Sequence, residues 1–281
     1  MRFTPREGSI PSLGTMLPDL LSIGPITIKT INVFLLLALL ISGFVFWRRG
    51  REEHYREDQL FDGFMLSAIG GFVAARIAYC LMNFTDFGFS LVAWLDIITR
   101  PGGIGLIGGI FAVIILVRYS QKQRWDAFEI LDMWVSAAAM GLGIVSLGMF
   151  VAGSGLGSET PWPVGLPSPA ENGMNVWPVQ LVSSIYFFVL YKVLLWAENH
   201  YRLFDWYKNG RSVAQTGFVC CIALMAFSAF ELLLVAIKPS QWVVAGFPLD
   251  AVVYALLLGL GFILLLLRSG RLMSKRKRSH G

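Results

Sequence analysis

Residues 26–47 read ITIKTINVFLLLALLISGFVFW, an almost uninterrupted apolar run that ends directly before Arg48 and Arg49. About 20 apolar residues in a helix, at 1.5 Å rise each, cross the hydrocarbon core of a bilayer. Six more runs of this kind follow along the chain, so the sequence predicts seven transmembrane helices. The predicted spans are approximately 26–47, 60–82, 102–120, 127–153, 179–199, 216–237 and 249–270.

The composition of the whole chain also indicates a membrane protein. Of 281 residues, 56% are hydrophobic and only 15% are charged, whereas a soluble domain carries about 25% charged residues. This composition excludes a soluble enzyme, a disordered chain and a secreted disulfide scaffold. We therefore predict an all-α polytopic membrane protein that forms one transmembrane domain over residues 1–281.

Cysteine spacing argues against a metal or redox site. Cys80, Cys220 and Cys221 all lie in apolar runs, and two of them are adjacent. Neither a disulfide framework nor a metal-binding motif has this spacing, so we interpret the three as buried structural thiols. The sequence predicts no metal and no cofactor.

Basic residues are concentrated on one side of the predicted bundle. The loops after the odd-numbered spans, together with the C-terminal tail, hold 16 of the 23 Lys and Arg residues. The positive-inside rule therefore predicts an N-terminus outside and a C-terminus in the cytoplasm. The basic tail at 275–278 is interpreted as a contact to anionic lipid headgroups, and no nucleic-acid partner is expected.

Two predicted outer loops, about 83–101 and 154–178, are longer than usual connections, so we expect function on the outer face.

Small residues indicate where the helices pack. Gly105 and Gly109 form a GxxxG pair in the third span, and the second span carries a stripe of small residues that includes Gly71. Such faces let helix backbones approach closely in lipid.

Five short motifs follow one another along most of the chain. They are SIGPITI (22–28), AARIAY (74–79), GGIGLIGG (102–109), GLGIVSLGMF (141–150) and WPVQL (177–181). Together they resemble the prolipoprotein diacylglyceryl transferases, bacterial inner-membrane enzymes with seven spans and an outside N-terminus. The resemblance implies a multi-pass protein of the bacterial plasma membrane, with phospholipid partners. The family transfers a diacylglyceryl group from phosphatidylglycerol to the cysteine thiol of a prolipoprotein.

Most polar positions of the family's motifs are altered in this chain. Ile107 and Trp177 stand where the family has histidine, and Ser146 and Glu231 stand where it has arginine. Met149 and Ala152 replace two asparagines, Ser154 replaces a glutamate and Ile31 replaces a tyrosine. Glu231 reverses the charge of a phosphate-binding arginine, which disfavours a bound phosphodiester. No catalytic residue is therefore assigned from the sequence.

Four polar residues remain as a lipid-binding or residual site: Arg76, Tyr79, Gln180 and Glu231. Arg76 and Glu231 each lie six residues from the outer end of their predicted spans, about 9 Å deep. Because an unpaired charge inside a membrane is costly, we predict that these two side chains pair with each other.

These observations leave three functions open. The first is a non-catalytic pseudoenzyme that serves as a lipid-binding or scaffold subunit of a larger membrane complex, with possible partner subunits. The alternative is a divergent but active phosphatidylglycerol–prolipoprotein diacylglyceryl transferase that gives Arg76, Gln180 or Glu231 new roles in lipoprotein maturation. A second alternative is a small-molecule or ion carrier, which intramembrane charges favour but the lack of an evident repeat does not. The sequence favours the first.

Overall fold

A computed structural model describes residues 17–23, 26–96, 102–161, 165–167, 175–205, 216–238, 243–244 and 247–268. Helices make up most of the described chain. They are α1 (Thr30–Glu52), α2 (Glu57–Met82), α3 (Phe84–Phe87), α4 (Leu91–Leu95), α5 (Gly105–Lys122), α6 (Ala127–Val151), α7 (Val179–Asp205), α8 (Phe218–Leu234) and α9 (Leu249–Arg268). The basic tail at 275–278 lies outside the described residues.

Short antiparallel strands connect the helices at one end of the bundle. They are β1 (Asp19–Ile23), β2 (Ile26–Lys29), β3 (Glu159–Thr160), β4 (Leu166–Pro167), β5 (Asn175–Val176), β6 (Val243–Val244) and β7 (Phe247–Pro248). β1 pairs with β2, β5 lies between β3 and β4, and β6 pairs with β7. We call this the outer end, because it carries the loops that the positive-inside rule places outside.

The predicted all-α multi-pass architecture is confirmed. Six helices are long and apolar enough to cross a membrane: α1, α2, α5, α6, α7 and α9. The sixth predicted span, 216–237, corresponds to α8, which is apolar but has only 17 residues. Its beginning is set by Gly217, which has a left-handed φ of 94°.

Helices α2 and α5 pack closely through small residues, but not through the predicted GxxxG pair. A Cβ atom added at Gly71 would lie 2.7 Å from the Gly108 carbonyl oxygen, and one added at Gly108 would lie 2.9 Å from Ala75 Cβ. At Gly105 and Gly109 an added Cβ would meet nothing within 4 Å. Helix α5 is therefore rotated so that Gly108, which is next to Gly109 of the GxxxG pair, faces α2.

This arrangement predicts a difference between two adjacent glycines. Gly108→Ala is expected to lower the free energy of unfolding by about 1–3 kcal/mol, because the added methyl overlaps the backbone of α2. Gly109→Ala is the matched control, and alanine there is expected to be neutral or to stabilise the helix by up to about 1 kcal/mol. Thermal unfolding of the two purified variants in one detergent measures both. Equal melting temperatures would contradict the close contact at Gly108.

Three acidic side chains of α6 organise the cytoplasmic end. Asp126 caps α6 through the Phe128 N–H (2.9 Å) and accepts a hydrogen bond from the Thr216 hydroxyl (2.7 Å). Asp132, one turn further along α6, caps a different helix, α8: its carboxylate accepts the Gly217 and Cys220 N–H groups, each at 2.7 Å. α6 thereby fixes where α8 begins.

The third acid joins α6 to the loop between α1 and α2. The Tyr55 hydroxyl donates to Glu129 Oε2 at 2.7 Å. Burial, followed by this hydrogen bond and the negative charge of Glu129, raises the pKa of Tyr55 above its usual range. The hydroxyl therefore keeps its proton, and the contact persists, at any physiological pH.

A buried ion pair lies in the same half of the bundle. Arg49, which the sequence places in a cytoplasmic loop, belongs to α1 and is only 9% exposed. Its guanidinium pairs with Glu198 of α7, which is 5% exposed, and donates to the Ser136 hydroxyl of α6 at 2.9 Å. One arginine thus connects three helices in a region that water does not reach.

Candidate functional site

The altered family positions all lie at the outer end of the bundle. Ile31 and Ile107 are in the first turns of α1 and α5, and Trp177 directly precedes α7. The others lie on or just beyond the last turns of helices that run toward this end: Ser146, Met149, Ala152 and Ser154 along α6 and its exit, and Glu231 on α8. Because neighbouring helices alternate in direction, residues far apart in sequence reach one end of the bundle.

Gln180 links the beginning of α7 to the end of α6. Its side chain is buried, and its Nε2 donates to the Gly155 carbonyl oxygen at 3.2 Å. Gly155 has a φ of 70°, and a Cβ atom there would lie 2.5 Å from Gln180 Nε2 and 3.0 Å from Met149 Cε. The retained Gln180 and the altered Met149 therefore meet at this glycine.

The second outer loop is fastened to the end of α8. The Ser158 N–H and hydroxyl both donate to the Ile237 carbonyl oxygen, at 2.9 and 3.0 Å. The Gly157 N–H donates to the Trp177 carbonyl oxygen at 3.0 Å. These contacts bring the ends of α6 and α8 and the beginning of α7 together.

Glu231 lies in a polar cluster between α8 and α9, which we call the Glu231 cluster. Its carboxylate is 3.9 Å from the Lys238 ammonium and accepts a hydrogen bond from the Tyr254 hydroxyl. The Glu231 side chain is 13% exposed and that of Lys238 is 34% exposed. The cluster therefore places a half-buried carboxylate beside a cation that solvent or a lipid headgroup can reach.

The predicted pair between Arg76 and Glu231 is wrong. Glu231 contacts Lys238 and Tyr254, whereas Arg76 donates to the carbonyl oxygens of Trp94 (3.0 Å), Asp96 (2.9 Å) and Gly102 (3.1 Å). Helix rotation decides this outcome, because equal depth in the membrane does not place two residues on facing sides. The Arg76 guanidinium carbon also lies 5.8 Å from the centre of the Tyr79 ring.

Sequence reasoning missed Lys238 and Tyr254 as members of the site. Lys238 follows Glu231 by seven residues, which is two helical turns. That spacing puts both residues on one side of a helix and its continuing turn. Nothing in the sequence alone indicated that Tyr254 of α9 would reach the same carboxylate.

Comparison with known proteins identifies relatives of this chain. A family described as prolipoprotein diacylglyceryl transferase matches residues 18–267. The phosphatidylglycerol–prolipoprotein diacylglyceryl transferase 2 of Clostridium perfringens is 30% identical over 178 residues, which is 58% of this chain and 65% of the relative. The alignment thus spans just under two thirds of that relative's length.

Two other relatives are matched over more of their length. The phosphatidylglycerol–prolipoprotein diacylglyceryl transferase of Clostridium tetani is 28% identical over 68% of this chain and 80% of the relative. The enzyme of the same name from Chloroherpeton thalassium is 27% identical over 69% of this chain and 72% of the relative.

These relatives overturn the expectation of a non-catalytic scaffold subunit. All three are named as transferases, which favours an enzyme over a pseudoenzyme. The expectation treated each altered position by itself. It left out neighbours such as Lys238, whose ammonium lies 3.9 Å from the Glu231 carboxylate.

The apolar helices and the family match together identify the protein's location and its family. It is a multi-pass protein of the bacterial inner membrane. The resemblance seen in the five sequence motifs is confirmed by a match that covers nearly the whole chain. The chain belongs to the prolipoprotein diacylglyceryl transferase family.

Proposed function

We propose that this chain transfers a diacylglyceryl group from phosphatidylglycerol to the cysteine thiol of a prolipoprotein. The observation that carries the proposal is the Glu231 cluster, a carboxylate and a cation 3.9 Å apart at the outer end of a bundle of this family. The reaction needs both groups: a proton acceptor for the thiol and a cation for the departing phosphate.

In the proposed reaction the thiol sulfur attacks the glyceryl carbon that carries the phosphate ester. A carbon–sulfur bond forms while the bond between that carbon and the phosphate oxygen breaks. The bonding electrons leave with the oxygen, and glycerol phosphate is the leaving group. The thiol proton passes to the Glu231 carboxylate, so atoms and charges balance.

The neighbours of Glu231 suit these roles. Lys238 is the more exposed of the pair, so its ammonium can turn from the carboxylate to a phosphate oxygen of the donor lipid. Such a move leaves Glu231 with the hydrogen bond from Tyr254, which holds the carboxylate in place. Gln180 and the glycine turn that it binds lie at the same outer end, where α6 and α7 meet.

A reconstituted assay tests this proposal. The purified chain in phosphatidylglycerol vesicles is expected to add a diacylglyceryl group to a peptide with a lipobox cysteine, seen by mass spectrometry as a thioether product. A peptide with alanine in place of that cysteine is the control. The chain is also expected to restore growth to a bacterium depleted of its own transferase. Absence of both product and rescue, with the chain folded and inserted, would refute the proposal.

Partner subunits, which the sequence analysis anticipated, are not required by this reaction and stay a prediction. Purification of the chain in a mild detergent tests them. A fixed second polypeptide at constant ratio would support such a subunit, whereas a single active polypeptide would exclude the need for one.

A further inference from the structure

The first outer loop presents an apolar surface that no described part of the chain covers. Phe89 is 93% exposed, and Leu91, Val92 and Leu95 of α4 are 75–79% exposed. Spacing by one and four residues puts the three α4 side chains on one side of this short helix. Ala93 and Trp94 are less exposed, and the Trp94 indole N–H donates to the Gly88 carbonyl oxygen at 3.0 Å. The helix therefore turns its apolar side outward.

Arg76 holds this helix against α2. The Arg76 side chain is buried, and its guanidinium donates to carbonyl oxygens at the C-terminal end of α4, those of Ala93 (3.4 Å), Trp94 (3.0 Å) and Asp96 (2.9 Å). A cation there satisfies carbonyls that the helix leaves unpaired and complements the helix dipole. The same guanidinium donates to Gly102, just before α5. Arg76 thus fixes α4 relative to both spans.

The hydrogen bonds of Arg76 also fix the level of α4 relative to α2. Arg76 lies six residues before the end of α2 at Met82, about 9 Å along the helix axis. Because the guanidinium must lie within hydrogen-bond distance of the α4 carbonyls, the C-terminal end of α4 stays near the level at which α2 ends. The apolar residues of α2 continue to Met82, so this level corresponds to the expected edge of the hydrocarbon core.

The apolar surface of α4 is continuous with the lipid-facing surface of α2. Leu81 and Met82, in the last turn of α2, are both exposed. Phe84 follows them and packs edge-on against Phe89, with ring centroids 4.9 Å apart. A band of exposed apolar side chains therefore runs from the span onto the loop.

We propose that the apolar side of α4 is inserted into the outer leaflet of the bilayer, and that Arg76 is the positioning residue that holds it there. Short amphipathic segments bind membranes in this way, with their apolar side at the boundary between headgroups and acyl chains. The surface would anchor the loop that connects α2 to α5 on the membrane beside the candidate site. The proposal does not depend on the transfer reaction.

Nitroxide labels test the insertion directly. The chain with Val92→Cys or Leu95→Cys is reconstituted, without other proteins, in nanodiscs of phosphatidylethanolamine and phosphatidylglycerol. Collision rates with oxygen and with a water-soluble nickel reagent are then measured. Both labels are expected to be reached by oxygen and shielded from nickel, at a depth of about 5–10 Å. Glu159→Cys, at the exposed position of strand β3, is the control and is expected to show the reverse.

The unsubstituted chain, whose Cys80, Cys220 and Cys221 lie in the spans, measures background labelling. Nickel access at positions 92 and 95 equal to that at 159 would overturn the insertion. A surface that serves a protein partner would give that same result, since no partner is present in the nanodisc.

Two variants test the role of Arg76. Arg76→Gln is expected to abolish the nickel shielding of the label at 95. Arg76→Lys keeps the positive charge but has fewer hydrogen-bond donors, and it is expected to retain part of the shielding. Far-UV circular dichroism and thermal unfolding show whether each variant is folded. An unchanged depth in folded Arg76→Gln would overturn the positioning role, even if the insertion itself stands.

Discussion

Glu231→Gln is expected to lower the rate of diacylglyceryl transfer by about 10²–10⁴-fold, the usual contribution of a positioned proton acceptor. Glutamine keeps the size of the side chain and can still accept the Tyr254 hydrogen bond. It cannot take the thiol proton, so the sulfur remains a weak nucleophile. The rate of thioether formation under saturating donor lipid measures the effect.

The position of Glu231 explains why a large effect is expected. The side chain is 13% exposed and lies between α8 and α9, beside Lys238 at 3.9 Å. The low exposure of this carboxylate limits the role of bulk water as an alternative proton acceptor. Among the described residues the two histidines, His54 and His200, offer no substitute, because both lie at the cytoplasmic end.

Two comparisons make the result specific. Glu159→Gln removes an exposed outer carboxylate and is expected to leave the rate unchanged. Lys238→Met is expected to lower kcat as well as to raise the apparent KM for phosphatidylglycerol, because its proposed contact is to the donor phosphate, which gains negative charge as it leaves. Full activity in folded Glu231→Gln would refute the proton-acceptor role while leaving the transferase proposal itself intact.

Glu198→Gln is expected to lower the free energy of unfolding by about 3–5 kcal/mol, because it leaves the buried Arg49 without the opposing charge. Both side chains are almost completely buried, and the guanidinium is also bonded to Ser136. The loss is expected to appear as earlier thermal unfolding in detergent, since three helices share this contact.

The exposed pair of Arg48 with Glu52 provides a matched control in the same helix. Its atoms are 3.2 Å apart, but the two side chains are 68% and 60% exposed. Glu52→Gln is therefore expected to cost no more than about 0.5 kcal/mol. The double variant Arg49→Met/Glu198→Met is expected to regain most of the stability lost by Glu198→Gln, because it removes both buried charges. Equal melting temperatures for Glu198→Gln and Glu52→Gln would contradict the buried network.

The candidate site was only partly predictable. Motif order placed the altered and retained positions on the outer side of the spans, and the helix termini of the structure lie there. The partners of those residues were not predictable. Arg76 was predicted to pair with Glu231, but its guanidinium donates hydrogen bonds to carbonyl oxygens at the end of α4. Lys238 and Tyr254 were overlooked because each was considered within its own segment.

By itself, the sequence determined the membrane class, the apolar helices and the family, because hydropathy and motif order depend on residues that are neighbours along the chain. The tertiary structure decided which charges meet, which carbonyl groups Arg76 binds and which glycines of 102–109 contact α2. Arg49 and Glu198 are 149 residues apart in sequence, and their contact depends on the rotation and tilt of α1 and α7. Those two quantities are set by packing among several helices, and no single segment of the sequence specifies them.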